Sequence, residues 1–249
     1  MSGEKAEAIV IRQAAFSESS RVVTLFSREF GKFGCLAKGA KRLKGPFDAA
    51  LDLLSRCRIV FLRKSSGALG ILTQAQLAER FIPVSTNINS LYGGYYVADL
   101  LCKLTEDYDP DPRIFDAAVC VLSDLANSDV EPATAIVQFE IKLLRLTGHF
   151  PDLSACTACG EPVQPKANFA YWVSQGGLLC ARCRRPEYDR KSISAGGVAV
   201  LQKLADGESI LTDRVRLSGE QTKECHQLAV SVITNVLGRK PGTLGYLSF

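Results

Sequence analysis

The 249-residue chain is 47% hydrophobic and 22% charged, the balance of a globular protein with a real core and not of a disordered or fibrous chain. Met1–Ala8 runs straight into a short alternating pattern without the apolar core of a signal peptide. No stretch approaches the roughly 20 apolar residues of a membrane span, so the chain reads as cytoplasmic. The net charge of +4 is uneven: residues 1–80 carry +7, residues 81–150 carry −6 and residues 151–249 carry +3, so a polyanion is drawn to both ends and repelled by the middle.

The first 80 residues read as strands. Ala8–Arg12, Val22–Phe26, Phe33–Lys38, Cys57–Leu62 and Leu69–Leu77 are short runs rich in Val, Ile, Phe and Leu. Gly31-Lys32, the stretch Gly39 to Gly45, and Ser65-Ser66-Gly67 separate several of them. Five short strands at this spacing predict a small barrel, with the OB-fold as first candidate and an SH3-like barrel as the open alternative.

After Pro83 the period becomes helical. Apolar residues recur at helical spacing through Leu91, Tyr95, Ala98, Leu101 and Cys102, and again through Ile114, Ala118, Val121, Leu122 and Leu125. A third run is Ile136, Phe139, Glu140, Leu143, Leu144 and Leu146, with Pro132 near its start and Gly148 as its expected left-handed stop. Residues 151–185 form a Cys-rich insert. Helix resumes after Ser194, read as an N-cap. The last helix opens on a capping box, Ser218 with Gln221. Its apolar stripe runs Cys225, Leu228, Ala229, Val232, Ile233, Val236 and Leu237, and Gly238 closes it. The helices after the insert are expected to join the middle ones in one bundle. The overall expectation is an α+β multidomain chain: a barrel over 1–80, then a helical domain over 81–249 with the insert at 151–185.

Nine cysteines are present. Cys35, Cys57, Cys102, Cys120 and Cys225 fall singly in or beside apolar runs and read as free thiols of a reducing compartment. The other four form Cys156-x-x-Cys159 and Cys180-x-x-Cys183, with 20 residues between the pairs. Two such knuckles can close a tetrahedron of thiolates around one Zn²⁺, and the hairpin expected at Gln175-Gly176-Gly177 carries the second pair back to the first. A redox pair or two disulfides are the rival readings. Four protein thiolates leave no open position for water or substrate, so the expected zinc is structural.

Signals for catalysis fail. The two histidines, His149 and His226, read as structural. Gly39-Ala-Lys-Arg-Leu-Lys-Gly45 lacks the ending of a phosphate loop, and neither a G-x-S-x-G elbow nor a His-x-Glu deaminase pair occurs. The acidic cluster Glu106, Asp107, Asp109 and Asp111 is interrupted by prolines and reads as a solvated loop.

The basic residues point elsewhere. Lys38, Lys41, Arg42 and Lys44 lie in or beside a glycine-bounded loop of the expected barrel. Arg12, Arg21, Arg28, Lys32, Arg56, Arg58, Arg63 and Lys64 lie on or beside its strands, with Phe16, Phe33 and Phe47 interspersed. Cations neutralise phosphates and aromatic faces stack on bases without demanding a sequence, so the loop is a candidate nucleic-acid contact. Phe33 and Phe47 read as core. Arg182, Arg184, Arg185, Arg190 and Lys191 form a second, weaker patch around the second knuckle.

Several segments resemble the bacterial RecO family. Ala8-Ile-Val-Ile-Arg12, Glu18-Ser-Ser-Arg21, Leu25-Phe-Ser-Arg-Glu-Phe-Gly31 and Ala37-Lys-Gly-Ala-Lys-Arg42 look like its opening. Phe139-Glu-Ile-Lys-Leu-Leu-Arg-Leu-Thr-Gly148, running into Pro151-Asp-Leu153, Cys156 and Cys159-Gly160, is similar to its helix-to-zinc junction. Gly176-Gly-Leu-Leu-Cys180 and Leu237-Gly-Arg-Lys240 also fit. The resemblance implies an N-terminal OB-fold, a helical domain and an inserted zinc finger. It also implies a cytoplasmic, nucleoid-associated mediator of DNA repair. Such a protein binds and anneals single- and double-stranded DNA. It acts with RecR and the tail of single-strand binding protein, and helps RecA load. The family's DNA-binding barrel maps onto Arg12, Arg21, Lys38, Lys41, Arg42 and Lys44. The competing readings are a protein–protein adaptor, whose barrel and zinc ribbon bind proteins, and a zinc-dependent hydrolase, which needs an open metal position.

Overall fold

The structure, a computed structural model, describes residues 3–42, 47, 50–64, 69–164, 169–186, 188, 190–206 and 217–248. The chain divides into two compact units, residues 1–129 and 130–249.

In the first unit five strands close a barrel: β1 (Glu4–Ala15), β2 (Arg21–Ser27), β3 (Gly31–Ala37), β4 (Arg56–Leu62) and β5 (Gly70–Glu79). Their order is β1-β2-β3-β5-β4, and β4 pairs back onto β1. Every pairing is antiparallel except β3 with β5, where Cys35–Ala37 runs parallel to Gly70–Leu72. This is the OB-fold, which resolves the choice against an SH3-like barrel. One long strand makes closure possible. The first half of β1 pairs with β4 and its second half with β2, and a register shift between Val10 and Arg12 bends the strand from one partner to the other.

Strict alternation in β3 turns Phe33, Cys35 and Ala37 inward and Lys32, Gly34 and Leu36 outward. Phe33 stacks on Phe61 at 4.5 Å between ring centres, and Phe30 meets Phe61 edge-on at 5.4 Å. Phe47 is buried in the same core, as expected for both Phe33 and Phe47. Each such ring contributes about 1.5–3 kcal/mol by leaving water.

Helices α1 (Ile88–Leu104) and α2 (Pro112–Leu125) belong to this unit. Asn87 and Asp111 cap them by accepting from the N–H groups of Asn89 and Arg113. The acidic side chains Glu106, Asp107 and Asp109 between the helices are exposed, but their backbone is not a free loop. The Tyr108 N–H donates to the Lys32 carbonyl at 2.8 Å, and the Tyr108 ring stacks on Phe33. Lys32 in turn donates its ammonium to the carbonyls of Cys102 and Thr105 at the end of α1, where a cation is favoured by the helix dipole.

The second unit starts with α3 (Pro132–Leu146). It ends in two reverse hydrogen bonds: Gly148 N–H donates to Arg145 and His149 N–H to Leu144. Gly148 itself is left-handed, the stop read from sequence. A small sheet of β6 (Phe169–Trp172), β7 (Gly177–Leu179) and β8 (Arg190–Ile193) follows in the order β7-β6-β8. The hairpin turn is where Gln175-Gly176-Gly177 predicts it. The third strand carries no sequence signal, because Arg190-Lys191-Ser192 is an exposed polar edge. Then come α4 (Ala195–Asp206), whose first turn is capped by Ser194, and α5 (Gly219–Leu237) with its full capping box and left-handed Gly238. α3, α4 and α5 pack on one another, while α1 and α2 pack within the barrel unit. The apolar stripe of α5 is buried through Ile233. Val236 is exposed and Leu237 half-buried, so the helix outruns its core by its last turn.

Candidate functional site

The four knuckle cysteines converge. The sulfurs of Cys156, Cys159, Cys180 and Cys183 all lie within 4.8 Å of one another, and those of Cys159 and Cys180 are 3.8 Å apart. A tetrahedron with metal–sulfur bonds of about 2.3 Å has edges of about 3.8 Å, so the cluster can hold a metal ion. The backbone explains the convergence. Gly160 N–H donates to the Cys156 carbonyl at 2.8 Å with Gly160 left-handed, closing the first knuckle. Cys183 N–H closes the second on the Cys180 carbonyl. Cys156 forms a bridge with Leu178 of β7, and Thr157 N–H donates to Leu178, which ties one knuckle to the strand that delivers the other. An ion pair between Glu161 and Arg182 also joins the two knuckles.

The sulfurs differ in electrostatic setting. Burial opposes ionisation of Cys156, but the N–H groups of Cys180, Ala158 and Cys159 aim at its sulfur and bring its pKa down to about 6. Cys183, hydrogen-bonded to the sulfurs of Cys159 and Cys180, is pushed up to about 12. Four clustered thiols become four thiolates only beside a cation. The remaining cysteines are of another kind: Cys35, Cys57 and Cys225 are buried, and desolvation pushes each up to about 12.

The basic residues sort into two groups. Arg28 pairs with Asp116, Lys32 with Asp107, Arg56 with Glu7 and Glu79, and Arg80 with Asp52. The Arg63 guanidinium lies 4.1 Å over the Tyr108 ring. These cations hold the barrel unit together. Lys38, Lys41 and Arg42 are exposed together at the end of β3, and like Lys5, Arg12, Arg58 and Lys64 they have no carboxylate partner among the described residues. Lys44 lies outside the described residues.

This loop is fastened to the β1–β2 turn. Lys41 donates its N–H to the Ser19 carbonyl at 3.1 Å and its ammonium to the Ser17 carbonyl at 2.7 Å. Gly39, left-handed, allows the tight turn in which Arg42 N–H returns to the Gly39 carbonyl. Arg21 begins β2 opposite both Ala15 and Ala37 and donates to the Gln13 side chain. Arg12, exposed on β1, lines with Lys32, Thr24, Gly34, Leu69 and Tyr108 a depression of about 290 Å³ on the outer face. The barrel thus brings Lys38, Lys41, Arg42 and Arg21 to one rim and sets Arg12 on the adjoining strand face.

In the second unit Arg182 is committed to Glu161, and Arg190 donates to the carbonyls of Arg185 and Tyr188. His149 is exposed just past α3. His226 is half-buried on α5, its Nδ1 at 3.0 Å from the Glu140 carboxylate of α3. Glu140 is fully buried. The signal for this pair was an acidic residue inside an apolar helical run, opposite a lone histidine.

The chain matches the family models described as "Recombination protein O N terminal" over residues 1–81 and "Recombination protein O C terminal" over residues 85–245. It is 35% identical to the DNA repair protein RecO of Rhodopirellula baltica over 199 residues, 80% of this chain and 73% of that one. It is 33% identical to that of Listeria monocytogenes over 199 residues, 80% of this chain and 76% of that one. It is 34% identical to that of Halalkalibacterium halodurans over 179 residues, 72% of this chain and 68% of that one. An OB-fold barrel, a four-cysteine centre in the second unit and matches that run through both halves agree: the chain belongs to the RecO family of DNA repair and recombination proteins.

Proposed function

We propose that this chain is a non-enzymatic recombination mediator that holds single- and double-stranded DNA on the rim of its barrel, anneals complementary strands, and works with RecR and the tail of single-strand binding protein to help RecA load. Residues 1–80 bind DNA, and residues 81–249 form the helical part with a zinc finger at 151–185. The protein acts in the cytoplasm, at the nucleoid. No described helix is long and apolar enough to cross a membrane.

One observation carries the DNA reading. Arg28, Lys32, Arg56 and Arg80 are tied to carboxylates, whereas Lys38, Lys41 and Arg42 project together from a fastened loop with no described carboxylate in reach. A preorganised row of cations with no described carboxylate partner attracts phosphates without reading bases. With Arg12, Arg21 and Lys44 the rim neutralises about four to six phosphates, which gives a log–log salt slope of about −3 to −4 on single strands. The charge reversal Lys41→Glu with Arg42→Glu is expected to weaken binding to all DNA sequences alike. Normal binding by this variant in a gel shift at physiological salt refutes the rim assignment, and no binding by the unaltered protein favours an adaptor.

The metal is zinc, held by Cys156, Cys159, Cys180 and Cys183. Four soft thiolates in a tetrahedron suit it, and they leave no position for a reacting water. Its work is structural: it braces a small sheet that lacks a large core of its own. Elemental analysis of the purified protein is expected to give one zinc per chain, lost on replacing any one of the four cysteines.

A further inference from the structure

The β1–β2 turn carries a feature that phosphate binding leaves unused. Phe16 is 62% exposed at its start, one of only two large exposed aromatic side chains among the described residues. The turn that holds it is ordered. The N–H groups of Phe16 and Ser17 both donate to the Ser20 carbonyl, at 3.1 and 3.3 Å, and Ser20 N–H returns to the Ser17 hydroxyl at 3.2 Å. Lys41 fastens the same turn from the basic loop. An apolar ring is therefore presented to solvent on a fixed support, next to cations that have no described carboxylate partner. A lone exposed apolar side chain needs no explanation. One built into an ordered turn and anchored to a cationic loop does, because the setting supplies both things an unpaired nucleotide offers to bind: a charge for its phosphate and a flat face for its base.

We propose that Phe16 stacks on an unpaired base while Lys38, Lys41 and Arg42 hold the flanking phosphates, so that this rim distinguishes single-stranded from duplex DNA. The inference rests on the DNA reading above and adds a strand preference to it. In a duplex the base faces are already stacked on one another, and only phosphates remain for the rim. On a single strand the ring gains a partner. Stacking on an aromatic side chain is sequence-tolerant, because every base has such a face.

The test compares Phe16→Ala, Phe16→Tyr and the Lys41→Glu/Arg42→Glu double variant in the full chain. Fluorescence anisotropy is read with a labelled single strand and with its duplex across a salt series. Phe16→Ala is expected to weaken single-strand binding roughly ten-fold. It should leave duplex binding within about two-fold and the salt slope unchanged, since no phosphate contact is lost. Phe16→Tyr, which keeps a flat ring, should bind like the unaltered protein. The double charge reversal should weaken both DNA forms and flatten the single-strand slope by about 1.4. If Phe16→Ala binds single strands normally, or loses single strand and duplex equally, stacking is overturned. If Phe16→Ala shows the selective loss while the charge reversal has no effect, stacking stands and the phosphate assignment of the loop is what fails.

Discussion

His226 offers a test of the second unit that also bears on whether this histidine does chemistry. Its Nδ1 lies 3.0 Å from the Glu140 carboxylate, and the pair links α5 to α3 in the interior, with Glu140 fully buried and the His226 side chain 14% exposed. Taking the imidazole away leaves a carboxylate in the core without this partner. Breaking a buried pair in this way costs about 3–5 kcal/mol, a large share of the roughly 5–15 kcal/mol that holds a domain folded. His226→Leu is therefore expected to lower the unfolding free energy of the second unit by about that amount, read as a lower urea midpoint. His226→Asn, which keeps an N–H donor but cannot carry charge, is expected to lose less. The reporter is built in, since the one tryptophan, Trp172, lies on β6 of the same unit. The pH dependence has a fixed sign. Burial lowers the His226 pKa, but the Glu140 charge and hydrogen bond outweigh it, so the folded pKa is raised above the ordinary value. A raised histidine pKa means the pair's extra stability is fully present below the unfolded value near 6.5. It is lost as pH rises through the folded pKa, with a slope of at most about 1.4 kcal/mol per pH unit. The gap between the unaltered protein and His226→Asn should be widest at low pH and narrow on the alkaline side. A gap that is constant with pH, or a harmless His226→Leu, refutes the reasoning.

Chelation of a metal held by the four cysteines should change Trp172 emission, because this ring stacks on Tyr188 at 4.2 Å and lies on β6, whose partner β7 bridges to Cys156. The same treatment should expose the thiols of Cys156, Cys159, Cys180 and Cys183 to alkylation, while Cys35, Cys57 and Cys225, buried and pushed up to about 12, stay protected until the chain unfolds. Gly31→Ala should destabilise the first unit by more than about 1–2 kcal/mol in a thermal or urea melt, the cost of a left-handed alanine alone. Gly31 is left-handed at φ +66°, and an added Cβ would collide with the Asp109 carbonyl oxygen, at the point where the α1–α2 connection crosses the barrel.

What the sequence revealed and what it hid follow from the range of the interactions. The five strands were legible because β-branched and aromatic residues alternate within each run, and Phe33, Cys35 and Ala37 show that alternation buried in β3. The knuckles were legible because their spacing is itself the geometry of the centre. The capping box of α5 and the stop at Gly148 are local chemistry and appear where the residues put them. Contacts distant in sequence were hidden. Nothing near Glu106–Asp111 says that this acidic stretch will dock its backbone on Lys32, and nothing in Arg190-Lys191-Ser192 announces an edge strand. The basic residues of the barrel looked alike in sequence. Only their partners separate Arg28, Lys32 and Arg56, each paired with a carboxylate, from Lys38, Lys41 and Arg42, which have no described carboxylate partner.

DNA is expected on the rim built by the β1–β2 turn and the loop after β3. Photo-crosslinking of a bromodeoxyuridine-substituted single strand to the intact protein, followed by peptide mapping, tests it most directly. Crosslinks are expected in the peptides spanning Phe16–Arg21 and Lys38–Arg42. Crosslinks confined to the second unit, with the barrel peptides unmodified, would contradict it.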